Sequence, residues 1–310
     1  MTCQPSTINN EYNIFTPMNR TLFLLLCCSF FVACEKELNI KPKDAGEVLA
    51  VDGSIENDRP PRIILTKSFN YFNTLSVADL ANAFIKGAIV TLSDGSISQI
   101  LKQYDVPFPG GNFVYYSTDT ALGNNQLFGK LNTAYSLTIE RDGKTYNANT
   151  TIPNIGRRLD SIWWKPAPEN KDTNKVVLFA KITDPKGFGN FARYYTSRND
   201  SAFLPGLNSV FDDAIIDGTT YEIQVDAGVD RNVKLGLEDY GYFARGDTIA
   251  AKLSNIDKTT FDFWRTWEQN QSNLGNPFGV PVKVLGNISN GALGYFGGYA
   301  SQVKTIIVPK

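Results

Sequence analysis

From residue 47 onward, apolar and polar residues alternate in short runs broken by turn residues, the period of half-buried β-strands. The clearest case is Tyr135-Ser136-Leu137-Thr138-Ile139-Glu140, where Tyr135, Leu137 and Ile139 share one face. Asp142-Gly143 then supplies the two positive φ angles of a two-residue type I′ loop, and residues 145–150 return as the hairpin partner. Further runs are 47–51, leading into Asp52-Gly53, then 62–66 and 88–92, the last ending at the turn Ser93-Asp94-Gly95-Ser96. Residues 97–104 follow closely enough to pair with that run, and 113–116 form another. About seven strands without cysteines predict an immunoglobulin-like β-sandwich over 47–155, closed by Pro153. Residues 77–86 read as a short helix or an insertion.

A second β-rich domain is expected over 156–310. Its strands are 160–164, 176–183 (ended by Asp184-Pro185-Lys186-Gly187), 191–196 paired with it, then 221–225, 247–253, 282–285 and 303–308. One helix interrupts the pattern near 257–271. Ser254 or Asp257 can cap it, and Ile256, Thr260, Phe263 and Trp267 fall on one face with Phe261 and Trp264 beside it. The fold class is therefore mainly all-β.

Composition narrows the chemistry. The chain has 310 residues, 30 basic against 31 acidic, and no histidine. The balanced charge offers no electrostatic footprint for nucleic acid. The missing imidazole removes Ser-His and Cys-His catalysis and His-ligated metals. No other residues nominate a metal, a cofactor or a catalytic pair, and the protein reads as non-catalytic. The four cysteines, Cys3, Cys27, Cys28 and Cys34, all lie near the start, so the body carries no disulfide framework.

That N-terminal placement has its own meaning. Met18-Asn19-Arg20 gives a basic start, and Leu22 to Ala33 is an apolar run too short to span a bilayer. It ends Phe31-Val32-Ala33-Cys34, followed at once by Glu35-Lys36-Glu37. This resembles a bacterial lipobox, with a bulkier Phe31 than usual. The resemblance implies a signal region over 1–33 and a lipidated Cys34; residues 1–17, polar and without an apolar run, place the functional start at Met18, and the polar, aperiodic stretch with Pro42 makes 34–46 the lipidated cysteine and a flexible tether. A plain signal peptide or a buried apolar helix is the ordinary alternative. Acyl chains contribute about 0.8 kcal/mol per buried CH₂, so a di- or triacylated cysteine would hold the body on a membrane.

From Cys34 to the end, ordered stretches resemble Bacteroidota outer-membrane lipoproteins of domain of unknown function family 4249. They are Val51-Asp52-Gly53-Ser54-Ile55, Tyr135 to Pro153 ending Thr151-Ile152-Pro153, Leu159-Asp160-Ser161-Ile162, Gly246-Asp247-Thr248-Ile249 through the aromatic helix and Asn276-Pro277-Phe278, and Asn287-Ile288-Ser289-Asn290 through Phe296. The resemblance implies an N-terminal β-sandwich, a β-rich C-terminal half and association with TonB-dependent receptors. It supplies no catalytic residues.

Candidate ligand or partner contacts are Trp164, Tyr295, Phe296 and Tyr299. The last three interleave with Gly286, Gly291, Gly294, Gly297 and Gly298, which would let a ligand approach the backbone. The ordinary reading is tight turns with aromatic core plugs. Likewise Asp212-Asp213, Asp217, Asp226, Asp230 and Glu238-Asp239 read as solvated loops rather than a calcium site. The expected role is a lipid-anchored outer-membrane protein, on the cell surface or the periplasmic face, that binds a nutrient or serves a TonB-dependent receptor. A structural or adhesive surface module is the alternative, and a carboxylate-dependent hydrolase is a third reading.

Overall fold

The computed structural model describes residues 47–68, 76–168, 172–233, 236, 240–273, 279–280 and 282–310. The stretch expected to be a signal region, the expected lipidation position Cys34, the expected tether and Asn276-Pro277-Phe278 lie outside them. The strands are β1 (Leu49–Glu56), β2 (Arg62–Lys67), β3 (Ile89–Ser93), β4 (Ser98–Ile100), β5 (Lys102–Phe108), β6 (Gly111–Ser117), β7 (Thr133–Arg141) and β8 (Lys144–Ile152). They continue as β9 (Arg158–Pro166), β10 (Lys175–Thr183), β11 (Phe191–Arg198), β12 (Leu204–Phe211), β13 (Thr220–Val225), β14 (Phe243–Ala244), β15 (Thr248–Ile256) and β16 (Leu293–Ile307). Two α-helices, α1 (Val77–Ala83) and α2 (Lys258–Asn273), complete the order, with a short 3₁₀ turn at Thr120–Asn125. The class is mainly all-β, as the alternation predicts.

The strands make three sheets. An eight-stranded sheet runs β12-β11-β15-β16-β1-β2-β6-β5, and two four-stranded sheets run β4-β3-β7-β8 and β13-β10-β14 with β9 beside β10. Register settles which side chains share a face of the large sheet. Val51 sits beside Leu65 and Gly294, Leu253 beside Gln302 and Tyr194, and Ile63 beside Tyr116. By period two, Val51, Ile55, Ile63, Tyr116, Phe296, Ala300, Ile249 and Leu253 therefore all point to one side.

The two smaller sheets cover that side. Val90, Leu92, Leu137, Ile139 and Ile152 of the first pack on Val51, Ile63 and Phe296 to make one core. Leu178, Ala180 and Ile182 of the second pack on Ile249, Ala251 and Leu253 to make another. The opposite side carries the other alternating set, and α2 lies on part of it through Phe261, Phe263, Tyr295 and Tyr299.

Expectation and structure part at several elements. The 135–150 hairpin forms with Asp142 and Gly143 at φ 51° and 72°. Asp52-Gly53, read as a turn, instead lies inside β1, where the bare Gly53 accommodates the Phe296 ring (a Cβ would sit 3.0 Å from it). Residues 97–104 divide into β4 and the start of β5, which joins the other sheet. Residues 191–196 do not pair with 176–183; β11 pairs with β12 and β15 in the large sheet. Residues 282–285 form no strand, and 303–307 of the run expected over 303–308 belong to the fifteen-residue β16. The boundary expected at 155/156 falls between β8 and β9, yet the large sheet takes four strands from each side of it, and the described residues fall in one compact unit.

That join is heavily polar. Arg157, fully buried, donates from Nε to Asp184 Oδ1 at 2.7 Å and from Nη2 to the Asn190 carbonyl at 3.3 Å. Its backbone N–H and carbonyl are met by Asn255 at 2.8 and 2.9 Å, and Gln302 donates to the same carbonyl at 2.8 Å. A buried guanidinium persists only with such partners.

Candidate binding cavity

The uncovered part of the large sheet's second face, beside α2, holds a cavity of about 600 Å³. Its residues follow from strand parity. Asp52, Ser54 and Glu56 alternate with the core residues of β1; Arg193 and Tyr195 do so in β11, Tyr115 and Ser117 in β6, Tyr295 and Tyr299 in β16. Lys252 of β15 stands beside Tyr195 across the sheet. Trp264 enters from α2, and Arg59, Pro60, Pro61 and Arg62 form the rim.

The floor is a hydrogen-bonded aromatic group. Trp264 donates from Nε1 to the Tyr299 hydroxyl at 2.9 Å, which donates to the Tyr295 hydroxyl at 3.2 Å. The Tyr295 ring stacks on Phe263 with centroids 4.3 Å apart. Burial pushes both hydroxyls above the usual tyrosine value, Tyr295 furthest, so both stay protonated donors. The chain of donors ends at the Tyr295 hydroxyl hydrogen, which meets no acceptor among the described residues.

Charges ring this floor. The Arg193 guanidinium lies 3.4 Å from the Trp264 centroid and 5.0 Å from that of Tyr195, and donates from Nε to Ser209 Oγ at 2.9 Å. Behind it the buried Glu268 accepts from the Ser209 N–H at 2.9 Å and sits 3.9 Å from Arg193 Nη2. Lys252 Nζ is 3.3 Å from Glu56 Oε2 and 4.6 Å from the Tyr195 centroid. Asp52, Arg59 and Arg62 are exposed, and their side chains make no hydrogen bond or ion pair among the described residues.

Tyr295 and Tyr299, named from sequence, thus meet in one place. Phe296, named with them, does not. The residue between odd-numbered neighbours points to the other face, and Phe296 has no exposed surface inside the first core. Trp164 lies elsewhere, packed against the second core with Arg245 5.1 Å from its ring. Of the clustered glycines, Gly291 does sit in a turn, at φ 75° with open space around it, whereas Gly286, Gly294, Gly297 and Gly298 serve close packing. A Cβ on Gly298 would stand 2.6 Å from the Thr151 carbonyl of β8, and one on Gly297 2.8 Å from Thr260 of α2.

Sequence reasoning missed Arg193, Tyr195, Lys252 and the Asp52-Ser54-Glu56 row. Their signal was the polar half of each alternation, in strands whose apolar half alone drew notice.

The acidic loops are also structural. Asp184, Asp213 and Asp217 bring carboxylate oxygens within 4.8 Å of one another. Each already has partners: Asp184 the Arg157 guanidinium, Asp213 the Gly189 and Asn190 N–H groups at 3.1 and 2.9 Å, Asp217 the Gly187 N–H at 2.6 Å. Asp213, expected in solvent, is 3% exposed. Glu238-Asp239 lie outside the described residues. In the cavity, Asp52 and Glu56 are the two carboxylates; four residues apart on an extended strand, their Cα atoms are separated by roughly 13 Å.

A protein whose large sheet is clad on one face and hollowed on the other belongs to the β-sandwich class with a sheet-face pocket. The family described as Domain of unknown function (DUF4249) matches residues 35–305, and the chain belongs to it. No curated protein matches the chain. The stretch 287–296 has a structural task. Asn287 accepts the Phe296 N–H at 2.8 Å through Oδ1 and donates to its carbonyl at 2.8 Å, imitating a neighbouring strand. Ser289 Oγ accepts the Asn147 N–H at 2.7 Å, tying the segment to β8.

Proposed function

We propose that this protein is a lipid-anchored, non-catalytic binding subunit of the outer membrane that serves a TonB-dependent nutrient receptor. The observation that carries the reading is the cavity: a hollow of small-molecule size, lined by aromatic rings and mixed charges, on a rigid sheet. The lipobox-like run ending at Cys34 supplies the anchor, and membership of the family is consistent with that address. No helix among the described residues is long and apolar enough to cross a membrane. A fatty thioether is the attachment in this reading. The wide spacing of Asp52 and Glu56, with Glu56 engaged by Lys252, suits holding a ligand better than hydrolysing one: paired glycosidase carboxyls lie about 5–10 Å apart.

The test is pull-down of the full chain from solubilised outer membranes with mass spectrometry, beside a Cys34→Ser chain. Wild type should sediment with vesicles, bring down a TonB-dependent receptor, and carry a diacylglyceryl mass on Cys34. The Cys34→Ser chain should wash free. An unmodified sulfur, together with no receptor after crosslinking, overturns the proposal.

A further inference from the structure

We infer that the cavity's ligand is an acidic sugar, a saccharide ring bearing a carboxylate. The inference rests on the binding role proposed above and names the ligand class of that same site.

Charge gives the first restriction. Four cations, Arg59, Arg62, Arg193 and Lys252, line the cavity against two carboxylates, Asp52 and Glu56. The Arg59 and Arg62 side chains have no partner among the described residues, so at least two guanidinium forks stand ready for an anion in a site that is net positive.

Hydrogen-bond capacity gives the second. The Tyr295 hydroxyl closes the run of donors from Trp264 through Tyr299 and asks for an acceptor. The exposed Asp52 can only accept, and asks for a donor. A bare anion would satisfy the cations but be repelled by Asp52; an apolar ligand would strand every charge without water. A sugar's hydroxyls both donate and accept, and its carboxylate meets the arginines, so one molecule answers both requirements. Tyr115 and Phe203, each half-buried at the cavity wall, offer ring surface to the apolar C–H face of a pyranose. The volume of about 600 Å³ lies inside the roughly 300–1,000 Å³ typical of small-molecule sites.

Isothermal titration of the full chain with digalacturonate, with the neutral digalactose, and with a short oligo-aspartate tests this. Trp264 on the cavity wall gives a fluorescence check. Digalacturonate should bind at least tenfold tighter than digalactose and than oligo-aspartate, and should weaken as salt rises. The double reversal Arg59→Glu/Arg62→Glu, confined to exposed rim side chains, should lower digalacturonate affinity at least tenfold while leaving the melting curve in place. Equal binding of both sugars overturns the acidic part of the inference, and equal binding of oligo-aspartate overturns the saccharide. If neither sugar binds while the receptor still co-purifies, the ligand class is wrong and the accessory role stands. If the receptor is also missing, both fall.

Discussion

Single side chains here do their work through what faces them across two chain-distant strands. Arg193 and Glu268 are separated by 75 positions, yet Ser209 bridges them, and nothing local in either sequence neighbourhood points to the other. Tyr295 and Tyr299 were legible as aromatic candidates. What separates them from Phe296 is strand parity, which the glycines around them hid by reading as turns. Turn chemistry, by contrast, was readable at Asp94-Gly95 and Asp142-Gly143, though not at Asp52-Gly53. Asp94 of the β3–β4 turn is tucked in, which alone would raise its pKa. The Ile97 and Ser96 N–H groups, the Ser96 hydroxyl and Lys130 outweigh that and hold it well below its ordinary 3.8. A carboxylate depressed in the folded state stabilises above its unfolded pKa, and that contribution drains away as pH falls through the folded value. Urea midpoints should therefore decline between pH 4 and pH 2 more steeply in wild type than in Asp94→Asn, and equal slopes would count against this role.

Among elements, those governed by local rules were readable and those governed by partners were not. The 135–150 hairpin and helix α2 carry their instructions in Asp142-Gly143 and in Asp257. Strand β12 (Leu-Pro-Gly-Leu-Asn-Ser-Val-Phe) lacks alternation and contains both breakers; it exists because β11 needs an outer neighbour. Strand β16 looked like glycine-rich turns because its glycines answer to α2, β1 and β8 passing close over it. Asp257 shows the same coupling from the helix side. Its Oδ1 caps α2 through the Thr260 N–H at 2.8 Å, while Oδ2 takes the Thr151 N–H at 2.9 Å and the Thr150 hydroxyl at 2.7 Å. Asp257→Ala removes a cap worth about 1–2 kcal/mol and leaves the β8 donors unpaired, at about 1 kcal/mol or more besides. Chemical denaturation should show a loss of about 2–4 kcal/mol; a change under 1 kcal/mol would contradict the double role.

At the scale of the molecule, composition and alternation sufficed for a mainly β fold but not for its assembly. Nothing in the spacing of strands says that β16 lies between β1 and β15, because parallel pairing of β1 with β16 joins positions some 240 residues apart. The 47–155 stretch reads as a closed sandwich from its own turns. In the structure its core is finished by Phe296 and Ala300, and its sheet edge by β16. Expressed alone, 47–155 should give no sharp thermal transition and should bind a hydrophobic dye, whereas 47–310 should melt cooperatively. A sharply melting 47–155 fragment would show that the shared sheet is dispensable.

The parallel pairing of β1 with β16 also sets a timetable. A ribosome releases the first strand long before the one that must lie against it, so the nascent polypeptide carries an open sheet edge and a half-filled core for nearly its whole synthesis. Such a chain stays pliable until its last segment emerges, so its core closes only once synthesis is nearly done.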